Sequence, residues 1–177
     1  MKAFSLKKVT FINGSLAFIL LLMGIASCTV SFKGITIPPE VNTYFVGRFE
    51  VYPEDFPIQF AQDFAEKLRD KVRRESRLSY TDTDPDVEFR GAIAEYLVTE
   101  EAPQAGETTS FNRLTIAVQV EYVNNVKEED TWDRPKRFPF FLDFPADQNL
   151  IDVQDDLVDQ IYDQLVEDIF NKTFTNW

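Results

Sequence analysis

The chain has 177 residues, 44% of them hydrophobic, with 17 phenylalanines, a formal charge of −12, one cysteine and no histidine. That balance suits one folded domain with an aromatic core, rules out an internal disulfide, and repels nucleic-acid phosphates. Without histidine, Ser-His and Cys-His nucleophilic arrangements and His/Cys zinc sites are excluded, and no residue is put forward as catalytic or as a metal ligand.

Lys2, Lys7 and Lys8 precede an apolar run from Phe11 to Ala26, broken only by Asn13-Gly14 and Ser15. A basic start, a short apolar stretch and small residues before a cut are the layout of a secretory signal. A bilayer-spanning helix needs about 20 apolar residues, so the run is read as removed and not as a span. Ile25-Ala26-Ser27-Cys28 resembles the lipobox of bacterial lipoproteins. The resemblance implies a diacylglyceryl group on the Cys28 thiol, cleavage before it, and acylation of the new amino terminus. Two or more acyl chains hold a membrane firmly where one holds it marginally. Residues 1–27 are then a signal peptide, 28–37 a lipidated amino terminus with a first strand, and 38–177 the remainder of a single domain. Loss of three leader lysines takes the charge from −12 to −15. Lipid on Cys28 is the only added group expected.

Ser31 to Ile37 alternates well enough for a strand and Pro38-Pro39 ends it. Thr43 to Tyr52 is a second strand, rich in aromatic and β-branched residues. After the Pro53–Pro57 loop, Phe60, Phe64, Leu68 and Val72 recur every four residues and predict a helix over Ile58–Arg74. Leu78–Thr81 reads as a short strand and Asp82–Asp86 as a turn. Val87–Thr99 is a long strand, and Glu100–Ser110 a polar loop with Pro103 and Gly106.

Asn112–Tyr122 is the clearest strand. Leu114, Ile116, Val118, Val120 and Tyr122 point one way, while Arg113, Thr115, Gln119 and Glu121 point the other, so one face is dry and one wet. Val123–Asp130 is a polar turn. Thr131–Phe144 is extended, and Pro135 and Pro139 suit an edge strand or a bulged one. Leu150–Phe174 is a second helix, with Val153, Leu157, Ile161, Leu165 and Ile169 on its apolar stripe and Asp147 or Asn149 as its cap. Two amphipathic helices on a mainly antiparallel sheet predict an α+β two-layer sandwich.

Asp82-x-Asp84-x-Asp86 starts like a calcium loop, but Val87 stands where glycine is needed and Ile93 where glutamate is needed, so a turn is the better reading. The acidic side of the second helix reads as its solvated face. Lys67, Arg69, Lys71, Arg73, Arg74 and Arg77 form one basic cluster, read as a salt-bridge lattice. Arg134, Lys136 and Arg137, ahead of Phe138-Pro139-Phe140-Phe141, form another. Cations beside aromatic rings suit a phosphorylated, acylated amphiphile, so these three are the candidate glycolipid-binding residues.

The lipobox, Ile37-Pro38-Pro39-Glu40, the helix Phe60–Lys71, the strand Asn112-Arg113-Leu114-Thr115-Ile116, the run Glu167-Asp168-Ile169-Phe170-Asn171-Lys172 and terminal Trp177 together resemble lipopolysaccharide-assembly lipoproteins of the LptE type. The resemblance implies an outer-membrane lipoprotein on the periplasmic side, with Thr29 after the cysteine agreeing with outer-membrane sorting. It implies a partner, an LptD-type outer-membrane β-barrel, which the protein plugs and helps assemble while lipopolysaccharide passes to the outer leaflet. Lipopolysaccharide itself is then a second candidate partner. Two other readings stand beside it. A lipid-carrier or chaperone-like lipoprotein would need a hollow apolar core. A carboxylate-only enzyme would need two carboxylates converging in a cleft, roughly 5–10 Å apart.

Overall fold

A computed structural model describes residues 34–54, 56–101 and 110–175. The signal segment, Cys28, Ser31–Lys33 of the expected first strand, most of the Glu100–Ser110 loop and Trp177 lie outside these residues. The elements run β1 (Thr43–Val51), α1 (Ile58–Glu75), β2 (Ser79–Tyr80), β3 (Val87–Glu101), β4 (Phe111–Asn124), a 3-10 turn (Glu128–Asp130), β5 (Lys136–Pro145) and α2 (Leu150–Phe174). The strands form one sheet in the order β2-β1-β3-β4-β5, with both helices on one face. Of the expected first strand, Ile35 makes a single antiparallel bridge to Thr175, and Thr36 N–H donates to the Phe174 carbonyl at 2.7 Å. This segment thus leans on the end of α2 and not on the sheet.

The sheet is mixed, mainly but not purely antiparallel. β3-β4-β5 is an antiparallel meander, but β1 runs parallel to both β2 and β3. The cause is α1. A helix placed after β1 carries the chain back along the sheet, so the next strand starts at the same end as β1. Two bulges adjust the faces. Gly47-Arg48 oppose the single residue Arg90, and Ala94 is an extra residue between the Ile93–Val118 and Glu95–Ala117 pairs. The second bulge moves the inward set of β3 from odd to even positions, from Phe89 and Ile93 to Tyr96.

The helical stripes do what their spacing dictates. Phe60, Phe64, Leu68 and Val72 of α1 are buried with Ala61 and Ala65, and Leu157, Ile161, Leu165 and Ile169 of α2 are buried with Val158, Tyr162 and Phe170. An edge-to-face relay crosses the layers: Phe49 of β1 meets Phe64 at 4.9 Å, and Phe64 meets Tyr162 at 5.0 Å. Such contacts add about 0.5–1.5 kcal/mol each beyond area burial. Asn149 occupies the cap position of α2 with extended backbone but without a side-chain cap bond.

The helices lie side by side and run the same way, because Lys67 pairs with Asp159 and Asp163 while Lys71, one turn later, pairs with Glu167 and Glu75. Lys71 is buried at 7% exposure, and its bond holds the Glu167 carboxyl below the usual carboxylate range. Asp86 is likewise lowered, chiefly by the Asn42 N–H, because its Oδ2 accepts the N–H groups of Asn42 and Thr43 at 2.7 and 2.9 Å. Its turn is a latch on the start of β1, closed by the Asp86 N–H donating to Thr43 Oγ1.

A Cβ at Gly91 would stand 2.0 Å from the Gln119 carbonyl oxygen and 2.9 Å from Phe49, whereas one at Gly47 would meet nothing nearer than 3.4 Å. Gly91→Ala is therefore expected to lower unfolding free energy by about 3 kcal/mol in urea titrations, with Gly47→Ala much milder. A group whose folded pKa is depressed contributes stability above its unfolded pKa and loses it as pH falls through the folded one. Stability measured across an acid series should thus decline below the ordinary carboxylate range, with a shallower decline for Glu167→Gln. Equal slopes for the two proteins would contradict the helix-to-helix tie.

Candidate functional site

Arg134 and Pro135 lead into β5, and strand alternation from Lys136 onward divides the side chains between two faces. Lys136 and Phe138 turn toward the helix side. The Lys136 ammonium sits 4.4 Å from the centroid of the Trp132 ring, which is itself held by Tyr122 at 5.6 Å and Phe138 at 6.0 Å. Arg134 is exposed, and Lys172, from the last turn of α2, completes a hollow with Arg134, Lys136 and Phe138. Arg137 borders the same hollow, but its guanidinium pairs with Glu95 of β3. The structure therefore brings Arg134 and Lys136 together, gives Arg137 an ion-pair partner, and adds Lys172.

Burial and then the neighbouring Lys172 charge hold the Lys136 ammonium below the usual lysine range, against a smaller opposing pull from Asp133. An anion placed here would relieve that repulsion. Charge-assisted bonds to a phosphate and contact of its organic part with Trp132 and Phe138 are what this geometry can supply. Lys172 could not be found from sequence, because only packing brings position 172 beside position 136. Its one signal was its place in the last turn of an amphipathic helix, where cations offset the dipole.

The other charged groups are mostly spent on each other. Lys67 and Lys71 are taken up by α2, and Arg73 by Asp70 at 2.8 Å, so this part of the first basic cluster is an ion-pair lattice. The acidic side of α2 supplies the partners. On the outer face of the sheet, which neither helix covers, Arg113 donates to both carboxylate oxygens of Asp143 at 2.7 and 2.9 Å and lies 3.9 Å from the Phe141 centroid. That pairing lowers the Asp143 pKa. A hollow of about 490 Å³ on the same face is lined by Phe45, Gly47, Arg90, Gln119 and Glu121, a mixed-charge set. Among the described residues there is no group of three or more Cys, Asp and Glu placed to hold a metal ion. No described helix is long and apolar enough to cross a membrane.

The space between the layers is occupied by large side chains. Tyr44, Phe64, Phe89, Tyr162 and Phe170 are each less than 2% exposed or at that limit. At the pole formed by the β3–β4 hairpin and both helix starts, apolar side chains are instead presented outward, including Ile58, Leu97 and Ile151.

A family model described as LptE, lipopolysaccharide-assembly, matches residues 32–173. No curated protein matches the chain. Among solved structures, a minor lipoprotein from Acinetobacter baumannii superposes with a TM-score of 0.48 at 10% identity, over 73% of this chain and 91% of that one. Uncharacterized lipoprotein B from Nitrosomonas europaea gives 0.48 at 12% identity, over 77% and 88% of the two chains.

The geometry separates a packed ring from a surface pair. Trp132→Ala removes a side chain wedged between Tyr122 and Phe138, and is expected to cost about 3 kcal/mol in chemical unfolding. Arg137→Gln breaks an exposed pair and should change stability by less than about 1 kcal/mol. Comparable losses for the two variants would show that Arg137 has a buried role.

Proposed function

The chain belongs to the lipopolysaccharide-assembly family LptE, and from that membership we propose that it is an outer-membrane lipoprotein that helps assemble and plug an LptD-type β-barrel translocon. The carrying observation is the family match over residues 32–173, which takes in every described strand and all but the end of α2. In this reading Cys28 carries the lipid, the domain faces the periplasm, and its work is contact and not bond-breaking. The filled space between the layers supports a docking protein over a carrier, because a carrier needs empty apolar volume for acyl chains and these side chains occupy it. The outward apolar residues at the hairpin pole supply area for a protein partner. Arg134 and Lys136, with Lys172 beside them, offer cations for a phosphorylated amphiphile, the chemical class that includes lipopolysaccharide.

Extraction of the tagged full-length protein from outer membranes in mild detergent tests the reading directly. A large β-barrel recovered in near-equimolar amount is the expected result. Absence of any barrel, under conditions that preserve a known barrel complex, would remove the plug role and bring the carrier forward. Cys28→Ala should abolish the lipid mass on the mature chain and release it from the membrane fraction. Retention of both lipid and membrane location would refute the anchor.

A further inference from the structure

The corner that holds Arg134, Lys136 and Lys172 is also where the amino-terminal segment joins the domain. Ile35 bridges Thr175, and Thr36 bonds the Phe174 carbonyl, two residues beyond Lys172. Thr36, Ile37 and Pro38 line, with Trp132 and Lys172, one groove of about 270 Å³. Cys28 lies seven residues before Ile35, so a fully extended chain reaches at most about 25 Å from one to the other. A lipid on Cys28 therefore keeps this corner, among the described parts of the chain, on the shortest lead from the bilayer.

Charge points the same way. In a chain of net −12, Lys67, Lys71, Arg90, Arg113, Lys127 and Arg137 all pair with carboxylates. Arg48, Arg69, Arg74, Arg77, Arg134, Lys136 and Lys172 have no ion-pair partner among the described residues, and the last three of these crowd one hollow. Trp132 and Phe138 lie beside them, and an indole next to cations is the usual composition of a surface that meets a membrane interface.

We propose that the corner made by Arg134, Lys136 and Lys172 around Trp132 seats on the anionic phospholipid headgroups of the leaflet that holds the anchor, and so sets which pole of the domain faces the bilayer. The proposal rests on lipidation of Cys28 and deepens the reading of that cluster by naming its ligand. Lipopolysaccharide shares the phosphate chemistry. The short lead to Cys28 favours the nearer headgroups, which lie within a Debye length of about 8 Å once the corner is seated.

The mature lipidated full chain, carrying Trp177→Phe so that Trp132 is the one tryptophan left of two, is reconstituted into vesicles of three compositions. These are phosphatidylcholine alone, phosphatidylcholine with phosphatidylglycerol, and phosphatidylcholine with lipopolysaccharide, each containing a headgroup-linked quencher. Expected is stronger quenching of Trp132 emission with phosphatidylglycerol, reversed by high salt. Lys136→Gln and Lys172→Gln should each lower the docked-to-undocked ratio about fivefold, with Arg90→Gln as the neutral control. The salt reversal is read on the unsubstituted corner, so it stands even if a variant folds poorly. Equal quenching in phosphatidylcholine and phosphatidylglycerol vesicles, in protein that floats with both, would overturn the docking and leave the anchor standing. Quenching only with lipopolysaccharide would make the corner a glycolipid site and overturn the proposal. Protein that floats with none of the vesicles would refute the anchor, and the docking with it.

Discussion

The inner face of the sheet is dry because two helices lie on it side by side and run the same way, and that arrangement carries an electrostatic cost. Parallel helices place like ends of their dipoles together, each equivalent to roughly half a charge. Here the cost is offset along the seam. Lys67 reaches Asp159 and Asp163, and the buried Lys71 reaches Glu167 and Glu75. The ion pairs fix the relative register of the helices, while the relay Phe49–Phe64–Tyr162 fixes their depth above the sheet. Losing the relay would leave aromatic area unmatched in the core, and losing Glu167 would leave the buried Lys71 with Glu75 alone, whereas the Lys67 pairs stand in water.

Parallel helices also give the domain two unlike poles. Both helix starts and the β3–β4 hairpin gather at one, where Ile58, Leu97 and Ile151 are exposed. Both helix ends gather at the other, where Lys172 and, after α1, Arg77 answer the negative dipole ends. Arg77 donates to the Pro38 carbonyl at 2.6 Å and so binds the incoming amino-terminal segment to this pole. An antiparallel pair would have mixed these features. The polarity of the domain is thus a consequence of topology, and it is what separates an apolar end from a basic one.

Elsewhere, too, the acidic chain uses cations as ties within the fold, among them Arg113 across β4 and β5 to Asp143 and Arg137 across to Glu95. The chain belongs to a family described as lipopolysaccharide-assembly. The corner at Lys136 and the hairpin pole are two places where this fold leaves cations or apolar side chains exposed or unpaired.

Much of this was determined by the sequence alone. The four-residue stripes of Phe60–Val72 and Leu157–Ile169 define both helices, the second over the same span that the structure gives it. The alternation Leu114–Tyr122 defines the inward face of β4, and the prolines of β5 define an edge. These are local periodicities, and local sterics enforce them. The tertiary structure alone decided that β1 is parallel, since strand direction depends on where α1 returns the chain. It alone flipped the faces of β3 at Ala94, because a bulge is a relation between two strands. It alone divided Lys136 from Arg137 and set Lys172 beside the former, because a site is assembled by proximity in space, and spacing along the chain carries no information about residues that meet only after the helix has folded back over the sheet.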